Sequence, residues 1–199
     1  MFSLSQRFQH ISNQALSFAI FAAVFVVATT WAQLYRDNVF ELSSSIGKVD
    51  PNINVRTSRY YGSVNGKPKE NIRLTFDLDA DLTPLFNWNT KQIFAYVTAT
   101  YNGKLKKDVK SEVTFWDTII TDKAKAHITL DNVKSKYTIW DLEEKLSERE
   151  LTFHLNWNIQ PWIGSLVYGE TTGQTLVTIP ERKVAPKKSK SPATESEAN

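Results

Sequence analysis

Cysteine is absent from the 199 residues, and that absence removes disulfide frameworks, thiol nucleophiles and thiolate metal sites together. Histidine occurs three times, as His10, His127 and His154, with no spacing that suits a metal pair. Glycine is limited to seven residues, and none sits in a G-x-S-x-G elbow, a phosphate-cradling loop or a dinucleotide fingerprint. Most enzyme and metalloprotein signatures are therefore missing. One carboxylate pattern remains: Asp77, Asp79 and Asp81 spell D-x-D-x-D, the opening of an EF-hand-type loop. Its sixth and twelfth positions, which need Gly and Glu, hold Leu82 and Trp88. No cofactor, metal or small-molecule ligand is expected, and no catalytic residue is assigned.

Excess charge is also lacking where it would matter. The pI is near 9.0 and the net charge is +3, but the tail after Pro180, with five basic and three acidic residues, and the lone Arg7 account for the surplus. Residues 36–179 are balanced, which argues against a nucleic-acid surface. The tail, residues 180–199, is rich in Lys, Ser, Pro and Glu with little to bury, and reads as disordered and basic.

What is present in abundance is one apolar run. "ALSFAIFAAVFVVATTWAQL", residues 15–34, carries no formal charge, and a helix of that length covers roughly 30 Å, the thickness of a bilayer core. Trp31 and Tyr35 lie near its C-terminal end, where amphipathic rings favour the interface. A cleaved secretory signal with Thr30-Trp31-Ala32 as its cutting site is one reading. The run exceeds a signal core and lacks a strongly basic leader, which favours a retained signal anchor. Arg7 before the run, against Arg36, Asp37 and Glu41 after it, places the N-terminus, residues 1–14, in the cytosol and residues 35–179 across the membrane.

Beyond the run the period becomes two. Ile72, Leu74, Phe76 and Leu78 alternate with Arg73, Thr75, Asp77 and Asp79; Leu151, Phe153, Leu155, Trp157 and Ile159 alternate with Thr152, His154, Asn156 and Asn158. Both are half-buried strands, with His154 on the solvent face. Residues 93–101 are apolar or β-prone on both sides, as in a central strand. Further strands are expected over 53–61, 109–120, 125–130, "LVYGE" and "GQTLVTI", with hairpin signals at Asn65-Gly66 and Asn102-Gly103. Helix is expected only as a turn over 82–86, with Thr83 capping and Pro84 at the first helical position, and over 141–146. The fold class is all-β: an antiparallel β-sandwich behind one N-terminal transmembrane helix. Trp157 alternates with core residues. Trp88, Trp116, Trp140 and Trp162 fall near strand ends or turns, where large rings cover a sheet edge or anchor a partner. With Phe94 and Tyr96 they form the candidate interaction set.

The segments "INVRTSRYYG", "LTFDLDADLTPLFNWNTKQIFAYVTATY", "SEVTFWDTII", "KYTIWDLEEKL" and "LNWNIQPWIGSLVYGETTG", with the N-terminal "MFSLSQRFQHISNQALSF", resemble the signal peptidase complex subunit 3 family in its fungal form, over residues 1–178. The resemblance implies a single-pass type II protein of the endoplasmic reticulum membrane with a luminal domain. It further implies a non-catalytic subunit beside the chain that cuts signal peptides, with that chain and the other complex subunits as partners. Type I signal peptidases carry their serine in S-M-x-P, and the only methionine here is Met1. Family members frequently carry a luminal N-x-[ST] sequon, and this chain has none. The alternative expectation is a free-standing, membrane-anchored binding module.

Overall fold

A computed structural model describes residues 3–56, 69–103, 109–140 and 146–181. Helix α1 runs over Leu4–Arg36, well beyond the charge-free segment at its N-terminal side. Its start is fixed by a capping box: the Gln6 amide donates to Ser3 Oγ at 3.4 Å, and the Ser3 amide donates to Gln6 Oε1 at 3.2 Å. It ends where Asn38 turns left-handed, at φ 48°. The next residues, Val39–Glu41, form a 3-10 turn whose Val39 is fully buried. The chain thus enters the domain core directly from the helix.

Eight strands follow: β1 Ser44–Arg56, β2 Lys69–Asp81, β3 Thr90–Asn102, β4 Lys110–Ile120, β5 His127–Lys134, β6 Ile139–Trp140, β7 Glu150–Pro161 and β8 Val167–Thr178. They make two four-stranded sheets. In sheet A, β2 lies between β1 and β5 and also pairs with β6; sheet B has the order β4-β3-β7-β8, and all pairing is antiparallel. This is the expected sandwich.

The period-two pattern explains the core. Ile72, Leu74, Phe76, Leu78 and Ala80 of β2 and Leu151, Phe153, Leu155, Trp157 and Ile159 of β7 are all buried. The central strand β3 turns the small residues Ala95, Val97 and Ala99 inward. Its neighbours in register are large: Trp157 opposite Ala95, and Phe153 opposite Ala99. Small beside large lets the rings spread over the strand, and Phe153 reaches Phe115 at 5.6 Å between centroids. Each such ring contributes about 1.5–3 kcal/mol by leaving water.

Several boundaries differ from expectation. Strand β1 begins at Ser44 and carries Gly47 and Pro51, residues tolerated because β1 lies at a sheet edge and is bulged between Gly47 and Asp50. The stretches "LVYGE" and "GQTLVTI" are one strand, β8, interrupted by a bulge opposite His154 and Asn156. At that bulge Thr171 turns inward and donates to the Leu155 carbonyl, while the Thr172 amide donates to the Leu42 carbonyl. The 3-10 turn over Thr83–Leu85 has Leu82, not Thr83, at its N-cap position; Asp81 Oδ1 instead accepts from the Thr83 amide at 2.9 Å. Asn102-Gly103 is not a two-residue hairpin, because Asn102 pairs with Lys110 across a longer loop. The Asn65-Gly66 signal, the end of the 53–61 strand, residues 141–145 and the basic tail after Glu181 lie outside the described residues.

Asp77 pins two irregularities at once. Both neighbours of β2 are bulged beside it, and each bulge carries a left-handed residue, Lys48 at φ 42° and Asn132 at φ 50°. The Asp77 carboxylate accepts from the Asn132 amide at 2.7 Å and meets Lys48 Nζ at 2.9 Å. The amide bond above all, with Lys48 second, holds its pKa below the usual carboxylate value. A depressed folded pKa stabilises the fold above the unfolded value near ~4 and loses that contribution as pH falls through the folded value. We predict that Asp77→Asn lowers the melting temperature at pH 6 and flattens its dependence between pH 4 and 2, as followed by circular dichroism.

Trp157 makes a second test. Gly169 stands opposite it in β8, and a Cβ built there would lie 2.2 Å from the indole Cζ2. Gly169→Ala is predicted to destabilise the domain by about 1–3 kcal/mol through this overpacking, measured by chemical denaturation.

Candidate functional site

The two outer faces of the sandwich differ in kind. On sheet A the outward residues of β2 are Arg73, Thr75, Asp77, Asp79 and Asp81, and each charged group has its own partner. Arg73 bonds the Thr138 hydroxyl, Asp77 the bulges, Asp79 the His127 ring at 3.1 Å, and Asp81 the following turn. The carboxylates of the D-x-D-x-D motif are spent fastening strands and turns. Asp79 and His127 border a cleft of ≈ 480 Å³ that also includes Ser44 and Ser45, a grouping of hydroxyl, imidazole and carboxylate. Ser44 bonds Thr171 Oγ1 at 2.6 Å, however, and among the described residues no hydroxyl bonds His127. The Asp79–His127 pair is open to solvent and ties β5 to β2.

Sheet B turns rings outward. In the register, Ile119, Phe94, Asn158 and Tyr168 form one row across β4, β3, β7 and β8; Asp117, Tyr96, Asn156 and Glu170 form the next. Phe94 and Tyr96 stack at 5.2 Å between centroids and are half-buried. Ile119 and Tyr168 at the ends of the first row are 57% and 60% exposed. Polar neighbours are satisfied within the face: Asn156 donates to Thr98 Oγ1 at 2.8 Å, and Gln92 donates to Gln160 at 2.7 Å. Burial, then the Glu112 carboxylate and the Tyr168 phenol, push the Tyr96 pKa above its ordinary value, so its hydroxyl stays a neutral donor at physiological pH. His154 also faces outward here, but its ring is largely covered instead of solvated, with Nδ1 4.0 Å from Glu170 Oε2.

The remaining tryptophans divide sharply. Trp116 is a core residue, not a surface anchor. It retains 7% exposure and meets Phe76 edge-on at 6.4 Å, because Phe115 is an extra, bulged residue of β4 opposite Val97 and Thr98 of β3, so that Phe115 and Trp116 both turn inward. Trp140 lies half-open at the edge of sheet A beneath Lys69 Nζ, 4.4 Å from the ring centroid. Trp88 and Trp162 occupy the loops before β3 and after β7, beside the helix. The structure brings Phe94 and Tyr96 together and places the other four apart from one another in role.

Sequence periodicity gives no sign of the residue that joins helix to sandwich. Asn89 is buried, and its side chain donates to Thr30 Oγ1 of α1 at 3.0 Å and to the Ile163 carbonyl at 2.8 Å, while its Oδ1 accepts from the Ile163 amide at 3.1 Å. The Trp162 amide donates to the Asn89 carbonyl. Thr30 and Leu34 are the buried residues of the helix. A ring series continues the junction inward, from Trp31 to Phe40 at 6.4 Å and from Phe40 to Trp157 at 5.8 Å. Thr30, one of four polar residues in the run over 15–34, was the visible hint of a polar contact.

A two-sheet sandwich behind one apolar helix long enough to cross a membrane, with one polar and one aromatic outer face, defines the class of the molecule. The family model described as "Signal peptidase subunit" matches residues 1–182. The chain belongs to that family. It is 53% identical to signal peptidase complex subunit 3 of Saccharomyces cerevisiae over 90% of this chain and 97% of that protein, and 48% identical to that of Debaryomyces hansenii over 86% and 90%. The human protein of the same name is 34% identical over 54% of this chain and 59% of its own length.

Asn89→Ala would leave the Ile163 backbone groups and Thr30 without their buried partner. The expected cost is about 1–3 kcal/mol. Faster hydrogen exchange at the Ile163 amide, with the Thr98 amide unchanged, is the measurement that checks it.

Proposed function

We propose that this chain is an accessory subunit of a signal peptidase complex in the endoplasmic reticulum membrane, with its N-terminus cytosolic and its sandwich luminal. The observation that carries the reading is the 53% identity to yeast signal peptidase complex subunit 3 over nearly the whole of both chains. Arg7 before the apolar run and the net negative flank after it support the orientation. A non-catalytic role is supported by the lack of S-M-x-P, since Met1 is the single methionine. The charge-paired face of sheet A and the ring-bearing face of sheet B support the choice of contact surface: Phe94, Tyr96, Ile119 and Tyr168 hold the catalytic subunit.

The mechanism is indirect. A serine peptidase working at a bilayer surface needs nucleophile, base and oxyanion donors in register, and a displacement of about 1 Å can cost ~100-fold in rate. A stiff sheet laid against the catalytic chain limits such displacement. Removing rings from that sheet therefore lowers assembly and activity together.

The test is a mild-detergent pull-down of this chain, with signal-peptide cleavage assayed on the eluate and the bound chains identified by mass spectrometry. Wild type is expected to bring down a chain bearing S-M-x-P together with activity. Ile119→Lys, at an exposed position, is expected to reduce both by about tenfold or more. Elution of the wild type alone and inactive would leave a free-standing binding module. Loss of activity in Tyr96→Ala with assembly intact would contradict the bracing mechanism.

A further inference from the structure

The membrane helix and the sandwich overlap along the helix axis. Two loops of the domain, residues 86–89 and 161–166, stand beside α1 at the level of Val27 to Thr30, inside the charge-free run. Asn89 bonds Thr30 there. Gly164, at φ 120°, comes so close that a Cβ on it would lie 3.0 Å from Val27 Cγ2. If the whole run to Leu34 lay in hydrocarbon, so would these loops with their backbone amides and carbonyls. Ahead of Val27 the helix carries no formal charge from Phe8 to Val26, roughly 28 Å at about 1.5 Å per residue, so a ~30 Å core that leaves the loops outside reaches back to Arg7 and takes in residues beyond the apolar run on the cytosolic side. The hydrocarbon boundary on the domain side therefore lies near Val27, not at Leu34.

The side chains that the loops present at this level suit lipid. Trp162 is 67% exposed and Trp88 60%, while Ile163 and Leu166 are also open. Lys91 Nζ stands 5.4 Å from the Trp162 ring centroid, which sets an ammonium beside an indole. Indole and a snorkelling lysine are the groups that favour the head-group layer. On the sandwich, no physical need of the fold explains these rings, because the core is closed without them.

We propose that the base of the sandwich is immersed in the head-group layer of the bilayer, with Trp88 and Trp162 in contact with lipid and Lys91 at the phosphates. The domain then grips the membrane on one side of its own helix and holds the sheet B face at a fixed height above the surface. Trp88 and Trp162 are lipid anchors on this account, and the protein contact belongs to Phe94 and Tyr96. The inference rests on α1 spanning the bilayer, and the experiment separates the two.

Because the chain has no cysteine, single labels are clean. Nitroxides are placed on Trp88→Cys, Trp162→Cys, Phe21→Cys and Glu150→Cys in the full chain, reconstituted in phosphatidylcholine nanodiscs. Collision with oxygen is compared with collision with a water-soluble nickel chelate. Both loop side chains lie mostly in the open, so these substitutions leave the core intact. The expected result is a several-fold preference for oxygen at positions 88 and 162, of the same sign as at 21 and opposite to that at 150. Water-type accessibility at 88 and 162 with lipid-type accessibility at 21 overturns the inference and leaves the span standing. Water-type accessibility at 21 defeats the span itself. Shielding of 88 and 162 from both reagents means a protein covers the base, and it overturns the inference as well.

Discussion

A buried amide at the foot of the sandwich governs how the two halves of this molecule relate. Asn89 has donors and an acceptor that must be satisfied without water, and it finds them on the helix at Thr30 and on the β7–β8 loop at Ile163. Turning the helix against the domain would break those bonds inside an apolar surround, which is costly. The ring series from Trp31 through Phe40 to Trp157 adds a packed, water-free continuation of the same joint. A flexible tether would need none of this. The anchor and the domain behave as one body.

Once that joint is rigid, the orientation of each sheet face relative to the membrane is set as well. Sheet A spends its outward charges internally: Asp77 on two bulges, Asp79 on His127, Asp81 on the turn that follows β2. Sheet B leaves a row of rings and aliphatic groups open, between polar neighbours already bonded to one another. The proposed bracing role draws on this combination of fixed height, fixed angle and one open apolar face.

The strands were legible where one face is buried and the other is wet. β2 and β7 alternate without fault over five inward positions each, and β3 announces its central place by being apolar or β-prone on both faces. Strand β1 was hidden because an edge strand with Gly47, a left-handed Lys48 and Pro51 has no clean period. β8 read as two pieces because its inward positions between Val167 and Val177 are Gly169, Thr171, Gly173 and Thr175, with no large apolar side chain to mark the period, and the bulge at Thr171 stitches β8 to β7 and to the chain ahead of β1. Helix α1 was underestimated because charge-free length marks where a membrane can be, whereas the helix begins at the Ser3–Gln6 capping box. Trp116 was misread because a bulge in β4 itself, at Phe115, shifts the phase of that strand, and sequence alternation does not show where the phase slips. Asn89 was invisible, since a polar residue in a turn ordinarily means solvent.

The single-body claim is tested most directly by the distance distribution between two spin labels, one on Ala19→Cys in the helix and one on Glu150→Cys at the far end of β7, measured by pulsed dipolar spectroscopy in nanodiscs. The account predicts one narrow distribution that broadens when Asn89 is replaced by Ala. A broad or multimodal distribution in the unmodified junction would contradict it, because a swinging domain holds no face at a fixed height.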